Sequence, residues 1–192
     1  MAVLAAARPR TELAAWSRAT LLALLAIAIE WARVLAERLP VFTGWALLLG
    51  GSALCMLALT MPLRALGLDR RQLGWRLAAG VVIAAVLLLP AVARNAALPG
   101  LPGNLLLPAA IVAVGEEIAF RGALFAALDK AGGPAAAVLG STAAFVVAHV
   151  LSHPPAFLPA VAALGLLLGL WRWACRDLVA PITAHVLADL AL

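Results

Sequence analysis

Apolar residues run along this chain in stretches of about 20 separated by short polar connectors, a pattern that predicts membrane-spanning helices. The first stretch, about residues 14–35, is the weakest, because Arg18 and Glu30 interrupt it and Trp16 and Trp31 flank it. Residues 41–63 contain no charge and form the clearest span. A basic connector follows from Arg64 to Arg76, then a third span over residues 77–97 rich in Val, Leu and Ala. The Pro99-Gly-Leu-Pro-Gly-Asn104 run is a turn. A fourth span, about 105–128, carries Pro108 in its first turns. From Ala131 to Trp171 there is no Asp, Glu, Lys or Arg. As one helix that stretch would measure about 60 Å, twice the hydrocarbon core, so it must fold back, and His153-Pro154-Pro155 is the natural break. This predicts spans near 135–152 and 156–174, and a last one from about 178 to the C-terminus. The expected fold class is all-α: a polytopic helical bundle in a single membrane domain, residues 1–192, with about seven spans, or six if the first lies in the interface.

Composition agrees. The chain of 192 residues is 66% hydrophobic and 12% charged, with a mean hydropathy of +1.08. Soluble domains carry about 25% charged residues. A formal charge of +5 would suit nucleic acid, but the basic residues are scattered between apolar spans, so inner-leaflet anchoring explains them and nucleic acid is excluded as a partner. Arg8, Arg10, Arg18, Arg64, Arg70, Arg71, Arg76, Lys130, Arg172 and Arg176 fall on one side when the N-terminus is cytoplasmic, against Arg33, Arg38 and Arg94 on the other. The expectation is a multi-pass protein of the inner (cell) membrane. No signal-peptide pattern opens the chain, so the first span is expected to stay as an anchor. Cys55 and Cys175 sit apart in apolar surroundings and resemble small core residues.

Three clusters of ionisable residues interrupt the apolar stretches: Glu116-Glu117-Ile-Ala-Phe-Arg121, Phe145-Val-Val-Ala-His149 and His185-Val-Leu-Ala-Asp189. Charged side chains at membrane depth are costly, roughly 2.5–3.5 kcal/mol each on insertion scales, and persist where they pair, bind or react. Counting inward from the expected cytoplasmic ends at 1.5 Å per residue puts Glu116 roughly 18 Å deep, His149 roughly 21 Å, His185 roughly 10 Å and Asp189 roughly 16 Å. The clusters are therefore compatible with one layer. Glu117 and Arg121 share a helical face and suit an ion pair, whereas Glu116 points about 100° away and lacks a compensating charge. His185 and Asp189 also share a face. Taken singly, a structural ion pair, a core histidine and a buried polar pair are adequate readings; together they point to a site. His153 is expected at the surface of the hairpin. Gly165 and Gly169 form a small-residue face for helix packing, and the six tryptophans suit interfacial anchoring.

Glu-Glu-xxx-Arg, Phe-xxx-His and His-xxx-Asp, in this order on successive spans, resemble the CPBP family. That family groups type II CAAX prenyl endopeptidases with bacterial relatives linked to bacteriocin processing and self-immunity. Ala180-Pro-Ile-Thr-Ala-His185 and the connector Leu66–Trp75 fit as well. The resemblance covers about residues 64–192, a catalytic core preceded by the N-terminal spans 1–63. It implies an intramembrane endopeptidase acting on a peptide or membrane-protein substrate. Glu116 matches the general base, His149 the histidine that helps hold the water, and His185 with Asp189 the oxyanion pair. Glu117, Arg121 and Phe145 match supporting positions. Asp189 stands where Asn is commoner: it is protonated, orients His185, or acts as a ligand. The last option keeps zinc open, with Glu116, His149, His185 and Asp189 as ligands, although a cofactor-free reaction is favoured. A non-catalytic immunity or assembly factor and a proton-coupled transporter are the competing classes. The transporter is disfavoured because no internal repeat is visible and the polar residues crowd into the C-terminal half.

Overall fold

The computed structural model describes residues 2–69, 71–93 and 101–191, with side-chain surroundings from residue 12 onward. Arg70, Arg94 and the Pro99–Gly100 part of the expected turn lie outside the described residues. Among those described, every regular element is helical: α1 (Ala2–Glu37), α2 (Thr43–Met56), α3 (Leu73–Ala93), α4 (Gly103–Glu116), a π-helical segment (Glu117–Leu124), α5 (Phe125–Ala148), α6 (Leu158–Cys175) and α7 (Val179–Ala191), with 3₁₀ turns at Pro40–Phe42, His149–Leu151 and Pro155–Phe157. Four stretches are long and apolar enough to cross a membrane, namely Glu12–Glu37, Leu73–Pro90, Gly103–Leu151 and Pro155–Cys175; Pro40–Met56 and Val179–Ala191 are shorter apolar helices. Leu21, Leu24, Trp45, Leu49, Val82 and Leu107 are among many large apolar side chains turned outward, as a lipid-facing surface requires. The chain is a multi-pass helical membrane protein.

Two breaks control the C-terminal half. At Gly133 the backbone takes φ 75° and ψ −172°, and with Pro134 next it bends what would otherwise be one long helix. At the expected hairpin, α5 ends at Ala148, a 3₁₀ turn covers His149–Leu151, and Pro155–Phe157 leads into α6. The second expected span is shorter than its apolar run. Helix α2 stops at Met56, and turns carry the chain on past Pro62, whose ring cannot continue a helix.

Those turns deliver Gly67 to the α6–α7 junction. Gly67 has φ 78°, and a Cβ there would lie 3.0 Å from the Arg176 carbonyl oxygen, so only glycine fits. Its own carbonyl accepts from Leu178 N–H at 3.1 Å and from the Arg76 guanidinium. Arg76 Nε also donates to Asp177 Oδ1 at 2.5 Å, and Trp171 Nε1 donates to Asp177 Oδ2 at 3.0 Å. Asp177 in turn caps α7, accepting from Val179 N–H at 2.8 Å and Ala180 N–H at 3.1 Å. The basic connector is thus clamped to the start of α7. Helix α7 lies along α3, and α2 lies along α4.

Candidate active site

Glu116 closes α4, and Glu117–Leu124 continues as π-helix, a rare form that is frequent at functional sites. Arg172 from α6 donates Nε–H to the Arg121 carbonyl at 3.1 Å, taking up a backbone acceptor within this irregular turn. Glu116, Glu117 and Arg121 are all buried, the last two with no exposed surface.

The expected ion pair is present: Arg121 Nη1 donates to Glu117 Oε1 at 2.9 Å. The same oxygen lies 2.9 Å from His185 Nδ1. A carboxylate only accepts, so the ring's Nδ1 carries a proton and its Nε2 is turned to the other side. Glu117 therefore ties α7 to the π-segment, a link between residues 68 apart that local spacing does not reveal. The Arg121 guanidinium carbon sits 3.9 Å over the Phe145 ring centre. Phe145 also meets Phe120 edge-on at 5.4 Å, and its carbonyl accepts the His149 Nδ1–H at 2.8 Å. That bond fixes His149 with Nε2 facing inward.

Both inward nitrogens converge on one oxygen. Glu116 Oε2 lies 3.6 Å from His149 Nε2 and 3.7 Å from His185 Nε2. Asp189 Oδ2 is 3.6 Å from His185 Nε2, and its side chain, at 40% exposure, is the one open member of the group. All seven residues singled out in the sequence thus meet in one cluster: Glu116, Glu117, Arg121, Phe145, His149, His185 and Asp189. The inward contacts are a little longer than hydrogen bonds, near enough for one water to reach two of them. Among the described residues, no group of three or more His, Cys, Asp or Glu has the arrangement of a metal site.

His153 lies beside the cluster rather than in it. Its ring stacks on Phe157 at 5.0 Å and bonds Ser152 Oγ at 2.9 Å. Gly165 packs against Thr142, and Gly169 faces Val138 across the α5–α6 contact. Both cysteines are free, and Cys175 is exposed rather than a core residue.

One participant was not anticipated. Arg33, expected at the outer end of the first span, is buried with Nη2 3.7 Å from Glu116 Oε1. It also donates Nε–H to Glu30 Oε2 at 3.0 Å and Nη1–H to Glu37. Glu30 itself is 1% exposed. The signal was available: Glu30, Arg33 and Glu37 repeat at helical spacing inside an apolar stretch, where charges need partners.

Residues 98–191 match the family model described as type II CAAX prenyl endopeptidase Rce1-like. No curated protein and no solved structure matches the chain. The matched stretch holds all seven clustered residues, whereas Glu30 and Arg33 precede it.

Proposed function

We propose, from the premise that through residues 98–191 this chain belongs to the CPBP family of type II CAAX prenyl endopeptidase-like proteins, that Glu116 is the general base of an intramembrane endopeptidase that needs no metal. The observation carrying this reading is the convergence of His149 Nε2 and His185 Nε2 on Glu116 Oε2 at 3.6 and 3.7 Å.

A water in this group donates one hydrogen to Glu116 Oε2 and the other to His149 Nε2, the acceptor left by the Nδ1–H bond to Phe145. Glu116 takes the proton as the water oxygen bonds to the scissile carbonyl carbon. The charge that develops on the carbonyl oxygen needs preorganised donors. His185, held through Nδ1 by Glu117, supplies Nε2–H in its imidazolium form, and Asp189 orients it or donates as a neutral acid. Glu116 then returns the proton to the leaving amine as the C–N bond breaks. Glu117, Arg121 and Phe145 support this group without touching substrate.

Two cavities, of about 710 and 450 Å³, lie elsewhere, the larger beside Asp69 and Trp171 and the smaller beside Trp45 and Pro108. Asp189, the half-open member of the cluster, marks the side from which a peptide would reach Glu116. The reading keeps residues 1–192 as one membrane domain with residues 64–192 as its catalytic core, seven spans, the N-terminus in the cytoplasm, and the inner membrane as location. Labelling a Lys130→Cys variant lacking Cys55 and Cys175 tests the orientation: modification from outside intact cells would reverse it. The substrate class is a peptide segment presented at the bilayer, a C-terminal tail, sorting signal or leader.

Reconstitution with internally quenched peptides, prenylated and unprenylated, tests the activity. The parent should cleave within the set, and Glu116→Gln should lose turnover by about 10²–10⁴-fold, the usual contribution of a general base. An inactive parent would favour a non-catalytic immunity or assembly role. Stoichiometric zinc in active protein, lost together with turnover in Asp189→Asn, would replace the metal-free mechanism with one in which Glu116, His149, His185 and Asp189 are ligands.

A further inference from the structure

Glu116 uses its two oxygens differently. Oε2 faces the histidines, and Oε1 faces Arg33. We propose that Arg33 and Glu30 of α1 are positioning residues of the active site, with Arg33 holding Glu116 Oε1 so that Oε2 stays aimed at the water, and Glu30 holding Arg33. This deepens the proposed mechanism and rests on Glu116 being the base.

Three observations carry it. Every nitrogen of the Arg33 guanidinium is engaged: Nε and Nη2 donate to Glu30 Oε2 at 3.0 and 2.5 Å, and Nη1 donates to Glu37. The group is therefore immobilised with Nη2 directed at Glu116. Second, neutralising one arginine on α1 does not need Glu30, since Glu37 lies one turn away at the partly exposed end of the helix. Glu30 is instead buried, with Oε1 lacking any hydrogen-bond partner, a placement that is costly without a role. Third, neighbouring helices are shaped to bring the pair to the site. A Cβ at Gly50 of α2 would lie 2.8–3.0 Å from Arg33 Cδ, Cγ and Cβ, so this glycine makes room for the arginine stem. At the next position α2 and α4 touch backbone to backbone: a Cβ on Gly115 would come within 2.4 Å of the Gly51 carbonyl oxygen. Gly115 immediately precedes Glu116. The glycine pair on α2 thus seats Arg33 with one residue and draws in Glu116 with the other.

A misplaced base loses turnover more than substrate binding, by about 10²-fold for displacements near 1 Å. Arg33→Met should therefore lower kcat per folded molecule by about that factor with KM little changed, on the same quenched peptides. Arg33→Lys, which keeps the charge, should recover much of the loss. Should Arg33→Met fail to fold, Arg33→Met with Glu30→Gln removes both charges together and should fold with the same loss of kcat. A thermal-unfolding cycle of Arg33→Met and Glu116→Gln in detergent needs no substrate. The double variant should lose less Tm than the two single losses added, because removing Glu116's charge relieves what losing Arg33 exposes. Additive Tm changes, with parental kcat in Arg33→Met, would overturn this inference while leaving Glu116 as base. Turnover by Glu116→Gln would instead remove the mechanism on which it rests.

Discussion

Two buried polar centres among the described residues are built from similar side chains, and they are wired differently. At the connector, Arg76, Asp177, Trp171 and the Gly67 carbonyl are joined by direct hydrogen bonds, and both Asp177 oxygens also cap α7. At the cluster, Glu116 makes no direct hydrogen bond; its partners stand off at 3.6 to 3.7 Å. The first arrangement joins its groups to one another by direct bonds. The second holds imidazole and carboxylate atoms facing one another without direct bonds to Glu116, and the proposed mechanism places the attacking water among them. Both centres are buried; they differ in the short contacts of the first and the longer contacts of the second, on which the proposed mechanism rests. Glu117 belongs to both kinds, with short bonds to Arg121 and His185 while its second oxygen has no partner.

The comparison can be broken by exchanging the behaviour of the two centres. Among the supporting residues the largest effect is expected from Glu117→Gln, which strands Arg121 in the core and releases His185. Removing one partner of a buried pair costs about 3–5 kcal/mol, and the freed histidine should lower turnover as well. Asp177→Ala should cost a comparable amount of stability by freeing Arg76 and uncapping α7, yet leave turnover per folded molecule near that of the parent. Thermal unfolding beside peptide turnover in liposomes checks both. If Asp177→Ala were as stable as the parent, the connector would not be a clamp.

The smallest effect is expected at Asp189, whose side chain is the most exposed of the cluster and 3.6 Å from His185 Nε2. Asp189→Asn preserves shape and hydrogen-bonding capacity, so most turnover should remain. Loss of turnover together with bound metal would make Asp189 a ligand; loss without metal would make its carboxylate indispensable to orienting His185.

Much of this was legible along the chain because it is local. Glu117 and Arg121 pair at helical spacing, His153-Pro154-Pro155 breaks the long uncharged stretch, and the three clusters stand out against apolar surroundings. What was not legible depends on contacts between distant segments. Sequence spacing gives no sign of the π-segment, whose Arg121 carbonyl is taken up by Arg172, 51 residues on. The Glu117–His185 bond and the Arg76–Asp177 clamp span 68 and 101 residues. Arg33 was misread for a different reason. Its position near the end of a weak span suggested a flanking charge, whereas the close α1–α2 contact at Gly50 buries it against Glu116.

The central claim is that one polar centre performs chemistry and the other holds the fold. Its most direct test is turnover per folded molecule for Glu116→Gln and Asp177→Ala, measured side by side in the same liposomes with the same quenched peptides. Glu116→Gln should be folded and inactive, and Asp177→Ala less stable but active in proportion to its folded fraction. Persistent cleavage by Glu116→Gln, or folded Asp177→Ala as inactive as Glu116→Gln, would contradict the account.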